Sequence, residues 1–178
     1  MLIDALLQIL PPPVHPVETG DESGWLRVSS SIGVRPPEDY IFFIKLYGTG
    51  AIDDFLHVYN PFARNANLNL LDTFGRDLFG LRELKAEFPV YYPFPIYFEP
   101  GGVLPWGVSI DGDLFCWRTT GLTGRWTTTV IPRHSEVEDF PVGMTVFLAK
   151  LLSGSFTSSA FPELEAGHRP VFSPLSEA

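Results

Sequence analysis

The sequence predicts an α+β fold, a central and mostly antiparallel sheet with helices packed around it, and three observations carry that prediction. Tyr40, Phe43, Ile44 and Tyr47 recur at i, i+3, i+4 and i+7, which is one face of a helix. Residues 103–110 and 114–118 are apolar runs separated by Asp111-Gly112-Asp113, where Asp-Gly supplies the positive φ of a tight hairpin. Trp126 to Ile131 adds a β-branched run close behind, so three consecutive strands with short connections form a β-meander.

Taken in order, residues 2–10 read as a short helix ended by Pro11, Pro12 and Pro13. Residues 11–24 are rich in Pro, Gly, Glu and Asp and read as a loop or a mobile lead-in. The run 25–28 reads as a short strand or a hydrophobic anchor, with Trp25 at the start of the packed domain. Pro36 and Pro37 suit a first helical turn, where a missing N–H has no helical partner, and Glu38 and Asp39 favour the positive end of the helix dipole. Gly48 stops that helix. Residues 51–52 and 55–59 read as strand up to Asn60-Pro61. Asn67 is the expected cap of a second helix striped by Leu71, Phe74, Leu78 and Leu81. Gly75 and Gly80 each weaken it by roughly 1 kcal/mol relative to Ala, enough to break it in two.

Tyr97-Phe98 reads as a short strand and Gly101-Gly102 as a turn. Residues 134–141 form an acidic connection to a final helix over 142–152, with Met144, Phe147, Leu148 and Leu151 on one face. Beyond Phe156 the composition turns to Ser, Pro and Glu. The expected organisation is therefore a lead-in over 1–24, a packed domain over 25–156 and a loosely held tail over 157–178.

Hydrophobic residues make up 45% of the 178, enough for a core that needs no metal or disulfide staple. The single cysteine, Cys116, agrees, since it has no internal partner and no zinc spacing around it. The N-terminus lacks the basic start of a secretory signal, and no apolar run reaches the roughly 20 residues of a membrane span. The expectation is a cytoplasmic protein away from membranes. A net charge of −9 opposes nucleic acid, whose recognition needs clustered Lys and Arg. It suits either a basic protein partner or plain solubility.

No arrangement in the sequence compels a catalytic or cofactor role. Asp111 and Asp113 could share a metal, but the carboxylates that complete a calcium loop do not follow, and a hairpin turn explains Gly112 as well. Asp53, Asp54 and His57 could pair as base and orienter, although their spacing equally suits a solvated loop entering a strand. Residues 107–111 miss the G-x-S-x-G nucleophile elbow, because Asp111 stands where glycine is needed. Cys116 with His57 or His134 could be a thiol dyad, but a cysteine between Phe115 and Trp117 lacks the electropositive setting a thiolate requires. The expectation is no enzyme, no cofactor and no metal.

Binding chemistry is better represented. Trp106, Trp117 and Trp126 belong to the meander and read mainly as core. Tyr91 and Tyr92, in the proline-rich stretch 89–97, are candidate interface anchors. Asp53, Asp54, Asp111, Asp113, Glu136, Glu138 and Asp139 are the candidate carboxylates for a basic partner, and each taken alone is equally a solubilising loop residue.

Pro36-Pro37-Glu38-Asp39-Tyr40 running to Tyr47-Gly48-Thr49-Gly50 resembles the proline–acidic–Tyr to Tyr-Gly-x-Gly helix of the SUKH superfamily. Residues 101–107, followed by Asp111-Gly112-Asp113 and Trp117, resemble that family's central signature. Trp126 and the helix with Phe147-Leu148 continue the order, so the resemblance spans roughly residues 30–154. It implies an α+β fold with a mostly antiparallel sheet. It also implies an immunity protein that binds and neutralises a bacterial toxin, often a nuclease, with no enzymatic activity of its own. A regulatory or scaffold module of the same fold is the alternative, and a small hydrolase using Asp and His is a third reading. The chain departs from the pattern where Trp25 is followed by Ser29-Ser30-Ser31 in place of an evident helix, and at both termini.

Overall fold

Five helices and seven strands make up the fold in the computed structural model, which describes residues 3–175. Residues 1–2 and 176–178, which include parts of the expected first helix and tail, lie outside the described residues. Helix α1 (Asp4–Ile9) precedes the proline triplet, as expected. Helix α2 (Glu22–Ile32) replaces the strand or anchor expected around Trp25. The Asp21 carboxylate caps it by accepting from Gly24 N at 2.7 Å, and Gly33 ends it in the left-handed region. The serines that argued against this helix turn their hydroxyls back onto it: Ser29, Ser30 and Ser31 donate to the carbonyls of Trp25, Leu26 and Arg27. Trp25 and Val28, buried on one face, supply the driving force.

Helix α3 (Glu38–Tyr47) follows the sequence pattern closely. It ends at Gly48, whose φ of +69° and whose approach to Val17 O leave no room for a Cβ. Strands β1 (Gly50–Ile52) and β2 (Leu56–Val58) form a hairpin through Asp53 and Asp54, both at positive φ. Helix α4 (Leu70–Glu87) is capped by Asn69 rather than Asn67, with Leu71 N donating to Asn69 Oδ1 at 2.9 Å. It runs unbroken through Gly75 and Gly80, because both lie on a face where nothing packs and no side chain is missed. Tyr97-Phe98 is not a strand. Phe98 takes a positive φ, and only Ile96 forms an isolated bridge with Val103.

The meander appears as β3 (Val103–Ser109), β4 (Leu114–Arg118) and β5 (Thr127–Ile131), extended by β6 (Glu138–Phe140) inside the acidic connection. Helix α5 (Met144–Leu152) closes the expected order. A seventh strand, β7 (Phe172–Pro174), comes from the segment expected to be loose and pairs with β1. The sheet order is β6-β5-β4-β3-β2-β1-β7, with every neighbouring pair antiparallel.

Alternation along β4 sorts the two faces. Phe115 packs against Phe147 of α5, and Trp117 meets Tyr40 of α3 edge-on at 4.9 Å. Cys116 points the other way, into a second cluster with Leu78 and Leu81 of α4, Phe94 and Ile131. The main core also takes Leu6 and Leu10 from the lead-in and Ala160, Phe161 and Phe172 from the tail. Both terminal segments are thus packed where the composition suggested mobility, since a few well-placed apolar residues suffice to anchor them.

Candidate protein-binding surface

An all-antiparallel sheet places the β1–β2, β3–β4 and β5–β6 connections and the entry to β7 at one end. Hydrogen bonds tie these loops together. Ile110 N donates to Phe55 O, Asp53 N to Val171 O, and Arg133 Nη1 to Asp111 O. Five of the seven candidate carboxylates, Asp53, Asp54, Asp111, Asp113 and Glu136, therefore gather at this end, where folding alone joins segments more than 80 residues apart.

Their environments differ sharply. Asp113 is 7% exposed, accepts from Ser109 Oγ at 2.6 Å and from Arg133 N at 2.9 Å, and so holds the hairpin and the β5–β6 loop together. Gly112, at φ +86°, makes that turn as expected. Asp53 accepts from Val171 N and pairs with His168 Nε2 at 2.8 Å, which fastens the tail to the β1–β2 turn. Asp54, Asp111 and Glu136 remain exposed. Glu138 and Asp139 sit on β6 rather than in a loop. Glu138 binds Ser158 and Ser159, and Asp139 binds Arg118 and Thr129. Four of the carboxylates expected to await a partner are accordingly employed inside the chain.

Beside this end, residues 88–93 and 131–137 enclose an open groove of about 690 Å³ lined by Phe88, Val90, Tyr91, Tyr92, Arg133 and Glu136 among others. The two candidate tyrosines and one candidate carboxylate meet here. Pro89 and Pro93 keep the chain out of helix after α4, and Tyr91 N and Tyr92 N both donate to Phe88 O, turning the loop back on itself. Tyr92 packs edge-on against Phe94 and joins the second cluster, whereas Val90 is 82% exposed and Tyr91 73%. Among the described residues, three of the twelve large exposed apolar side chains, Phe88, Val90 and Tyr91, fall within this short stretch of chain, and Phe79 and Leu84 lie on the preceding helix, a concentration that marks interaction sites more often than chance exposure does.

The catalytic alternatives find no shared geometry. Asp53 pairs with His168 and not with His57, and no hydrogen bond joins Asp53, His57 and Asp113 among the described residues. Burial pushes the Cys116 thiol well above its ordinary range. No three His, Cys, Asp or Glu side chains cluster as metal ligands among the described residues. Trp106, Trp117 and Trp126 are core residues, as expected. Arg133, His134, Ile110 and Val171 belong to the surface without any sequence signal beyond their place in loops or at strand ends. No described helix is long and apolar enough to cross a membrane. No family model, no curated protein and no solved structure matches this chain.

Proposed function

We propose that the chain is a stoichiometric binding protein, and that its partner is a basic bacterial toxin domain, such as a nuclease, which it neutralises in the cytoplasm as SUKH-type immunity proteins do. The observation that carries the reading is the exposed apolar loop 88–91 set beside a sheet end bearing the free carboxylates Asp54, Asp111 and Glu136. Desolvated aromatics supply most of the affinity of such an interface, and charges of the opposite sign speed encounter. The acidic balance of the chain and the ordered motifs over residues 30–154 support the same reading.

The test is co-expression with a basic toxin domain encoded beside the gene. The expected result is a one-to-one complex on size exclusion and restored growth of the toxin-expressing cells. Failure of complex and protection together would overturn the toxin assignment. A stoichiometric partner that is not a toxin would move the assignment to a regulatory module.

A further inference from the structure

We propose that the turns at the sheet end hold Ile110 and Val171 out as paired apolar anchors for a basic partner segment, one that sets two apolar side chains about 14 Å apart on either side of a lysine or arginine. This rests on the protein-binding reading above and names the part of the sheet end that makes the contact.

Ile110 is 63% exposed and Val171 58%. Neither is loose. Ile110 N donates to Phe55 O at 2.9 Å, and the turn that follows is closed by Gly112 N on Ser109 O at 3.0 Å and Asp113 N on Ser109 Oγ at 3.0 Å. Val171 N donates to Asp53 Oδ1 at 2.8 Å, and Val171 O accepts from Asp53 N at 2.8 Å. Backbone braced in this way keeps an apolar side chain in water and loses little freedom when a partner covers it.

The topology fixes the spacing. Ile110 follows β3 and Val171 precedes β7, and β2 and β1 lie between those strands in the sheet. Three strand spacings of about 4.8 Å separate the anchors by about 14 Å. The β1–β2 turn occupies the gap and carries Asp54, which is exposed and has no hydrogen bond or ion pair. The carboxylate of Asp111, next to Ile110, is free in the same way.

The charge around the anchors selects the occupant. Asp53, Asp54, Asp111, Asp113, Glu136 and Glu165 belong to these turns and the loops tied to them, against the two guanidinium groups of Arg133 and Arg169. That is three to one, where the whole chain has 21 acidic to 12 basic residues. Arg133 keeps its full charge, but it lies against Gly112 with Nη1 on Asp111 O, on the β3–β4 side of the gap. Protonating His134 and His168 still leaves the carboxylates in excess. A basic segment is therefore attracted and an acidic one repelled. An extended chain advances about 3.4 Å per residue with alternate side chains on one side, so the pattern apolar-x-Lys-x-apolar spans both anchors with its cation over the β1–β2 turn.

The experiment titrates the isotope-labelled full chain with four capped nonapeptides, followed by amide chemical shifts. One carries Leu-x-Lys-x-Leu with serine at the other positions. The second replaces Lys by Glu, the third replaces both Leu by Ser, and the fourth closes the spacing to Leu-Lys-Leu. The expected result for the first is a saturable shift centred on residues 53–55, 109–113 and 169–172, with a Kd of about 1 mM or below. Each altered peptide should bind at least about fivefold more weakly, and Ile110→Ser should weaken the first by a similar factor without changing the unfolding midpoint. Equal binding of the acidic or the shortened peptide, shifts centred on residues 88–93, or no shift at about 5 mM peptide would overturn the inference. These outcomes are separable from the toxin assignment. A toxin complex unaffected by Ile110→Ser and Val171→Ser together would leave that assignment standing and sink the anchors, whereas peptide binding of the expected kind without toxin neutralisation would do the reverse.

Discussion

The Asp39 carboxylate caps a helix more than 100 residues away: its Oδ2 accepts from Thr145 N at 3.1 Å and from Thr145 Oγ1 at 3.0 Å. Helix α5 has no side-chain cap of its own at Gly143, so the first turn of α3 supplies the missing acceptor and fixes the two helices against each other. Asp39 is almost fully buried, so water is a poor substitute.

Asp39→Ala should therefore destabilise the fold by about 1–3 kcal/mol, the range for losing a cap and leaving a buried donor unpaired. Equilibrium urea unfolding checks this. Asp39→Asn, which keeps an acceptor, should recover part of the loss.

The tail should prove integral to stability. Phe172 stacks edge-on against Tyr47 at 5.2 Å and Phe43 at 6.1 Å, and β7 closes the β1 edge of the sheet. Phe172→Ala should cost about 3 kcal/mol by thermal unfolding. A loss within a few tenths of a kcal/mol would mean the tail is dispensable.

Burial raises the phenols of Tyr40, Tyr47 and Tyr59 above the ordinary tyrosine value, and for Tyr59 the nearby Asp77 adds to the effect. The native state holds these protons while the unfolded chain releases them at about pH 10. Stability from these groups is thus fully present below about pH 10 and is lost as pH rises from there toward the native values. Absorbance near the tyrosinate band should rise in a cooperative step that coincides with loss of tertiary circular dichroism. A gradual rise in the folded protein, counting all six tyrosines, would contradict the burial.

Interface substitutions should separate by kinetics. Tyr91→Ala should raise Kd for the partner about thirtyfold or more through faster dissociation. Asp54→Asn, Asp111→Asn and Glu136→Gln together should mainly slow association and flatten its salt dependence. Surface plasmon resonance at two ionic strengths distinguishes the two effects, and unchanged association in the triple variant would exclude electrostatic steering.

Local chemistry determined much of this protein in advance. The stripe Tyr40–Tyr47, the glycine stop at 48, the Asp-Gly hairpin and the apolar and β-branched runs of the meander are written within a few residues of where they act, because helix periodicity, positive φ and strand propensity are local properties. Helix α2 was hidden because exposed serines satisfy the backbone they were expected to disrupt, and the buried face of Trp25 and Val28 outweighs their propensity. Only the tertiary structure decided which carboxylates are free. Asp53 and Asp54 are neighbours of the same type, yet Asp53 is bound by His168 and Val171 from the far end of the chain while Asp54 faces water. The same long-range pairing made β7 a strand and brought Tyr91, Tyr92 and Glu136 to one groove. Contacts between residues distant in sequence depend on how the elements pack, and no local pattern carries that information.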